Sequence, residues 1–106
     1  MIMELPDSVL RYLGTPRPML IGGEWVGPKS NGWEATVNPA DGKVIGEYAI
    51  AGKASVDQAV VAARQAFEHR DWSKITPAQR AKLLWKVAEL IEANAQELAV
   101  LETLDG

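Results

Sequence analysis

Short extended runs occupy the first half of this chain and helical apolar stripes occupy the second. Met19-Leu20-Ile21 and Glu24-Trp25-Val26 flank Gly22-Gly23. Glycine accepts positive φ, so that pair predicts a tight hairpin turn between two strands. Gly27 to Gly32 is polar and rich in glycine and proline, and it reads as a loop. Glu34 to Val37 is extended. Asn38-Pro39-Ala40-Asp41-Gly42 then reverses the chain, because proline presets φ and Asp-Gly supplies the sharp turn. Lys43 to Ile50 alternates, with Val44, Ile45, Tyr48 and Ile50 as its larger apolar members, and reads as a further strand of the kind found at a sheet edge.

Helical spacing takes over at Ser55, where Ser55-x-x-Gln58 has the form of a capping box. Val56, Ala59, Val60, Ala63 and Phe67 form one stripe. Thr76-Pro77-Ala78-Gln79 is a second capping box with proline at the first helical position. Leu83, Leu84, Val87, Leu90 and Ile91 make the buried face expected of that helix, and Trp85 lies nearly opposite. A helix with apolar residues on two faces needs cover on two sides, and this chain is too small to supply both. Asn94-Ala95-Gln96-Glu97 predicts a third capping box, with Leu98, Leu101 and Leu104 as the following stripe. Before all of these, Leu5 to Leu13 predicts a short helix capped by Asp7 or Ser8 and ended by Gly14, within a surface extension packed on something larger. The elements place the chain in the α/β class.

The 106 residues amount to one domain at most. A net charge of −3 opposes a general nucleic-acid role, which needs a basic patch, and opposes attraction to an anionic membrane. No cysteine is present, which removes disulfides, thiolate–zinc sites and a cysteine nucleophile from this chain. No apolar run reaches the roughly 20 residues that span a bilayer. The acidic start lacks the basic region of a secretory signal. The expected compartment is the cytoplasm.

Candidate chemistry is sparse. Gly22-Gly23 is followed by a strand, whereas a phosphate loop opens a helix, so it is a structural turn. His69, the single histidine, stands at a helix end beside Glu68, Arg70 and Asp71, where a cation suits the dipole. Glu89 and Glu92 sit among Lys82 and Lys86, which fits surface ion pairing better than paired catalytic acids. The four tryptophans are dispersed and lack the basic groove of a single-strand platform. No catalytic and no cofactor-binding residue is expected in this chain.

The order of the elements resembles the start of the aldehyde dehydrogenases. The resemblance is carried by Leu20-Ile21-Gly22-Gly23-Glu24-Trp25-Val26, by Thr36-Val37-Asn38-Pro39-Ala40-Asp41-Gly42, and by Val56 to Phe67. It continues through Trp72-Ser73, Pro77 to Leu84, Leu90-Ile91-Glu92 and Glu102-Thr103-Leu104-Asp105-Gly106. It implies that residues 1–18 are an N-terminal extension. Residues 19–106 are then the truncated N-terminal portion of a Rossmann-like cofactor domain, with β-hairpin strands and amphipathic helices. The parent protein would oxidise an aldehyde to a carboxylic acid with NAD or NADP. A cysteine thiolate, oxyanion donors and a glutamate base would do that chemistry, all beyond residue 106.

The parent is expected to be a homodimer or homotetramer, with an aldehyde substrate and no nucleic-acid or membrane partner. The resemblance also implies a monovalent cation site for K or Na at Thr36, Val37 and Asp105, although Asp105 reads equally well as a plain helix end. Two other functions suit the same residues: a non-catalytic interaction module presenting Trp85, or one subunit of a split enzyme.

Overall fold

The computed structural model describes residues 4–106. In chain order the elements are α1 (Asp7–Leu13), β1 (Met19–Ile21), β2 (Glu24–Val26), β3 (Trp33–Val37), β4 (Val44–Ala49), α2 (Lys53–Glu68), α3 (Arg70–Ser73), α4 (Pro77–Ala93) and α5 (Ala95–Asp105). The strands form two separate antiparallel hairpins, β1 with β2 and β3 with β4.

The turns follow the glycines. Gly22 and Gly23 have φ of 61° and 83°, the paired positive values of a two-residue hairpin turn. Gly42 has φ 71°. Asn38 shapes that turn further, because its Oδ1 accepts from the Ala40 amide at 2.9 Å. Opposite the turn, the Arg17 amide donates to the Glu47 carbonyl and its carbonyl accepts from the Ala49 amide, each at 2.9 Å. The segment after α1 thereby lies along the outer edge of β4.

Of the three expected capping boxes, one forms. Thr76 Oγ1 accepts from the Gln79 amide at 3.2 Å, and Gln79 Oε1 accepts from the Thr76 amide at 2.8 Å. The box at Ser55 does not form, because α2 begins two residues earlier, at Lys53 after the N-cap Gly52, and carries Ser55 into its first turn, where it is buried. The box at Asn94 does not form either. Asn94 is shared between the end of α4 and the start of α5, and its Nδ2 donates back to the Leu90 carbonyl at 2.8 Å. Nor do Asp7 and Ser8 cap α1, which starts on Pro6 without a side-chain cap.

Among the described residues only Val9, Ile21 and Leu104 are buried apolar side chains. Val9 is 1% exposed, the most enclosed of them, and it sits where α1 packs on α5 and β4. Helix α1, within the expected extension, is therefore seated on this chain's own α5 and β4. The large members of the stripe expected to bury α2 lie open: Val56, Val60 and Phe67 are all exposed, while α2 packs on β1 and Ala62 Cβ lies close beside Gly22 in the turn that follows it. Helix α4 buries nothing, and Leu83, Leu84, Val87, Leu90 and Ile91 are each more than half exposed. The radius of gyration is 17.3 Å, against about 13 Å for a compact domain of this length. The shape is that of helices held out from a small hub.

Candidate functional site

The hub carries the one place where the residues singled out by sequence meet. A cleft of about 720 Å³ opens between α1, β4 and the end of α5. Thr36, Tyr48, Arg17 and Asp105 are among the residues that line it. Thr36 arrives on β3 and Asp105 on the last turn of α5. The Thr36 hydroxyl donates to Asp105 Oδ1 at 2.9 Å. Val37, the last residue of β3, follows Thr36 and pairs with Val44 across the hairpin.

The strand pairing is irregular at this point. Val37 lies opposite Val44, but Thr36 lies opposite Gly46, so Ile45 has no cross-strand partner. A bulge of this kind bends the strand and re-aims its side chains. It also changes the neighbours. An unbroken register running on from Val37 and Val44 places Glu34 opposite Glu47, two like charges. The bulge places Glu34 opposite Tyr48 instead, and Tyr48 Oη donates to Glu34 Oε2 at 2.9 Å. That hydrogen bond raises the Tyr48 pKa above the usual tyrosine value, with further contributions from desolvation and from the negative charges of Glu34 and Asp105.

The remaining charge in the cleft is mixed. Arg17 lies over the Tyr12 ring at 4.5 Å, and its Nε donates to the Thr15 carbonyl at 2.9 Å. Among the described residues no three His, Cys, Asp or Glu side chains stand close enough to hold a metal ion together. The donors at Thr36, Val37 and Asp105 are one carboxylate with a hydroxyl and backbone oxygens. That set suits a hard cation of low charge. Of Thr36, Val37 and Asp105, the residues implied by the resemblance, the fold brings Thr36 and Asp105 into direct contact. The sequence reading missed Tyr48 and Glu34, because their pairing depends on a bulge that no local residue pattern announces.

The other singled-out residues are not part of the cleft. His69 joins α2 to α3, and Glu89 pairs with Lys86 at 3.5 Å on the surface of α4. Trp25 and Trp85 are exposed to solvent. No helix among the described residues is long and apolar enough to cross a membrane.

Comparison with known proteins gives a consistent picture. Residues 25–106 match the model of the Aldehyde dehydrogenase family. Over 96 residues the chain is 40% identical to the human cytosolic 10-formyltetrahydrofolate dehydrogenase, covering 91% of this chain and 11% of that protein. Over 104 residues it is 38% identical to the putative aldehyde dehydrogenase DhaS of Bacillus subtilis, covering 98% of this chain and 21% of that protein. Its fold matches the aldehyde dehydrogenase of Bacillus cereus solved as an NAD+ complex, with a TM-score of 0.89 and 41% identity over 96% of this chain and 21% of that one. The chain spans between about a tenth and a fifth of the length of these relatives.

Proposed function

This chain belongs to the aldehyde dehydrogenase family, and from that membership we propose that it is the N-terminal scaffold of an enzyme that oxidises an aldehyde to a carboxylic acid with NAD+ or NADP+. It supplies framework and no catalytic group. One observation carries the reading. Helix α4 exposes every one of its large apolar residues, including Trp85 at 73%, in a chain that matches 98% of itself but 21% of a family member. Apolar stripes on both sides of a 17-residue helix are a surface that needs cover. The remainder of a dehydrogenase polypeptide is the cover we assign to it. NAD+ is the preferred cofactor of the proposal, because a relative of 41% identity was solved with it.

Within this scaffold we place a K+ or Na+ ion against the backbone oxygens of Thr36 and Val37 and the carboxylate of Asp105. Such an ion would tie the β3–β4 hairpin to the end of α5. A cytosolic homodimer or homotetramer completes the reading.

The test is turnover. The purified 106-residue chain, offered NAD+ or NADP+ with a panel of aldehydes, is expected to reduce neither. A polypeptide in which this chain is followed by the remaining segments of a family member is expected to reduce one of them. Turnover by the short chain alone overturns the scaffold assignment. Stable capture of an unrelated protein on α4, with no activity in the longer polypeptide, favours an interaction module instead.

A further inference from the structure

We propose that His69 is a protonation-sensitive cap that sets the elbow between α2 and α4. One residue ends α2 and begins α3. Its backbone amide donates to the Gln65 carbonyl at 2.9 Å, closing α2. Its carbonyl accepts from the amides of Trp72 and Ser73 at 3.0 and 2.8 Å, opening α3. Its side chain completes the junction, because Nδ1 accepts from the Asp71 amide at 3.2 Å. That last bond requires a lone pair on Nδ1, so it exists only in the neutral imidazole with its proton on Nε2.

Protonation removes the acceptor. Nδ1 then carries a proton that faces the Asp71 N–H, and a positive ring stands at the N-terminus of α3, where the dipole disfavours it. The same ring has two better places nearby. The Asp71 carboxylate lies 3.7 Å from Nδ1, and the C-terminal carbonyls of α2 favour a cation. The ring therefore swings from the α3 amide toward the carboxylate or toward α2.

Helix α3 has four residues, too few to persist without its cap. It is also the piece that α4 holds. Arg80 of α4 donates through Nη2 to the Trp72 carbonyl at 3.1 Å, and its guanidinium lies over the Trp72 ring at 4.9 Å. Arg80 Nε is buried there without a hydrogen-bond partner. Loss of the cap loosens this hinge and frees the angle between two helices whose apolar faces are open. The charged groups of the elements that meet here are Arg64 and Glu68 of α2, Arg70 and Asp71 of α3, Lys74 after it, and Arg80 of α4. Of the side chains at this junction the imidazole is the one whose hydrogen bond to the Asp71 amide needs an unprotonated ring nitrogen.

The experiment is nuclear magnetic resonance of the isotopically labelled 106-residue chain at pH 8 and pH 5. In the parent sequence the backbone carbon shifts of Arg70 to Ser73 are expected to be helical at pH 8. At pH 5 the helical population of α3 relative to its open form falls about fivefold, the size of a lost side-chain cap. His69→Asn keeps a neutral acceptor at every pH and is expected to hold α3 helical at both. His69→Ala has no acceptor and is expected to resemble the acidic parent at both. An equal change in the parent and in His69→Asn overturns the proposal, as does a parent whose α3 is unaffected by acid or is already non-helical at pH 8.

Discussion

Thr36 and Asp105 touch across 69 residues of sequence, hydroxyl to carboxylate at 2.9 Å. No other side-chain hydrogen bond among the described residues joins the hairpin half of the chain to the helical half over such a span. It ties the last turn of α5 to β3 and joins two of the three residues proposed to hold a cation.

Asp105→Ala tests that assignment. The parent chain is expected to melt higher in potassium chloride than in choline chloride of equal ionic strength. At a tenfold excess over Kd the gain is about 1.4 kcal/mol. Asp105→Ala abolishes the difference. Thr36→Val loses the hydroxyl but keeps the backbone carbonyl, so it retains most of it. Calorimetric or fluorescence melts read both, and a potassium effect surviving in Asp105→Ala removes the carboxylate from the site.

The Tyr48–Glu34 pair predicts a pH dependence with a definite sign. The fold favours the protonated phenol, because Glu34 accepts its hydrogen bond and nearby carboxylates oppose the phenolate. The folded-state pKa is therefore raised above the unfolded one. The stabilisation is fully present below pH about 10, the ordinary tyrosine value, and is lost as pH rises through the raised one. In a Tyr12→Phe background Tyr48 is the single tyrosine, so ultraviolet absorbance follows it alone. Glu34→Gln is expected to move its ionisation to lower pH. An unchanged curve rules out Glu34 as the cause.

Val9 and Val60 predict opposite outcomes for the same substitution. Val9 is 1% exposed and Val60 is 62% exposed. Val9→Ala removes buried methyl groups and is expected to cost about 2 kcal/mol. Val60→Ala is expected to stay within about 0.5 kcal/mol. Urea denaturation of the two variants side by side measures both, and equal losses contradict the placement of α1 on α5 and β4.

The single capping box that forms is expected to matter where the unformed ones do not. Thr76→Ala removes the acceptor for the Gln79 amide and is expected to cost about 1 kcal/mol of helix stability. Asn94→Ala loses only a bond back to the preceding helix. Far-ultraviolet circular dichroism during denaturation separates the two, with the larger loss at Thr76.

Trp85 gives a direct readout of cover. In the 106-residue chain its indole is 73% exposed, so acrylamide is expected to quench it readily. Subtracting the signal of Trp85→Phe isolates it from the other three tryptophans. In a longer polypeptide that completes the fold, quenching of the same indole falls several-fold. Equal quenching in both leaves α4 uncovered and removes the main support of the scaffold reading.

Local chemistry was legible in the sequence wherever one residue sufficed to impose it. Gly22-Gly23 and Asp41-Gly42 specify their turns because glycine alone accepts those φ values without strain, and Thr76-Pro77 specifies a helix start because both partners of its box lie within one turn. Ser55 and Asn94 carry the same signature and fail, since where a helix begins is also a matter of what it packs on. Hydrophobic periodicity likewise named the apolar face of α2, yet a periodic stripe records only which side can be buried. The tertiary structure decided that Ala62 of α2 lies against Gly22 while Val56, Val60 and Phe67 stay open. It also decided the bulge at Ile45, which turns a repulsive Glu34–Glu47 register into a Tyr48–Glu34 hydrogen bond, and the meeting of Thr36 with Asp105. Those outcomes depend on contacts between residues far apart in the chain, whose free energy no window of neighbouring residues contains.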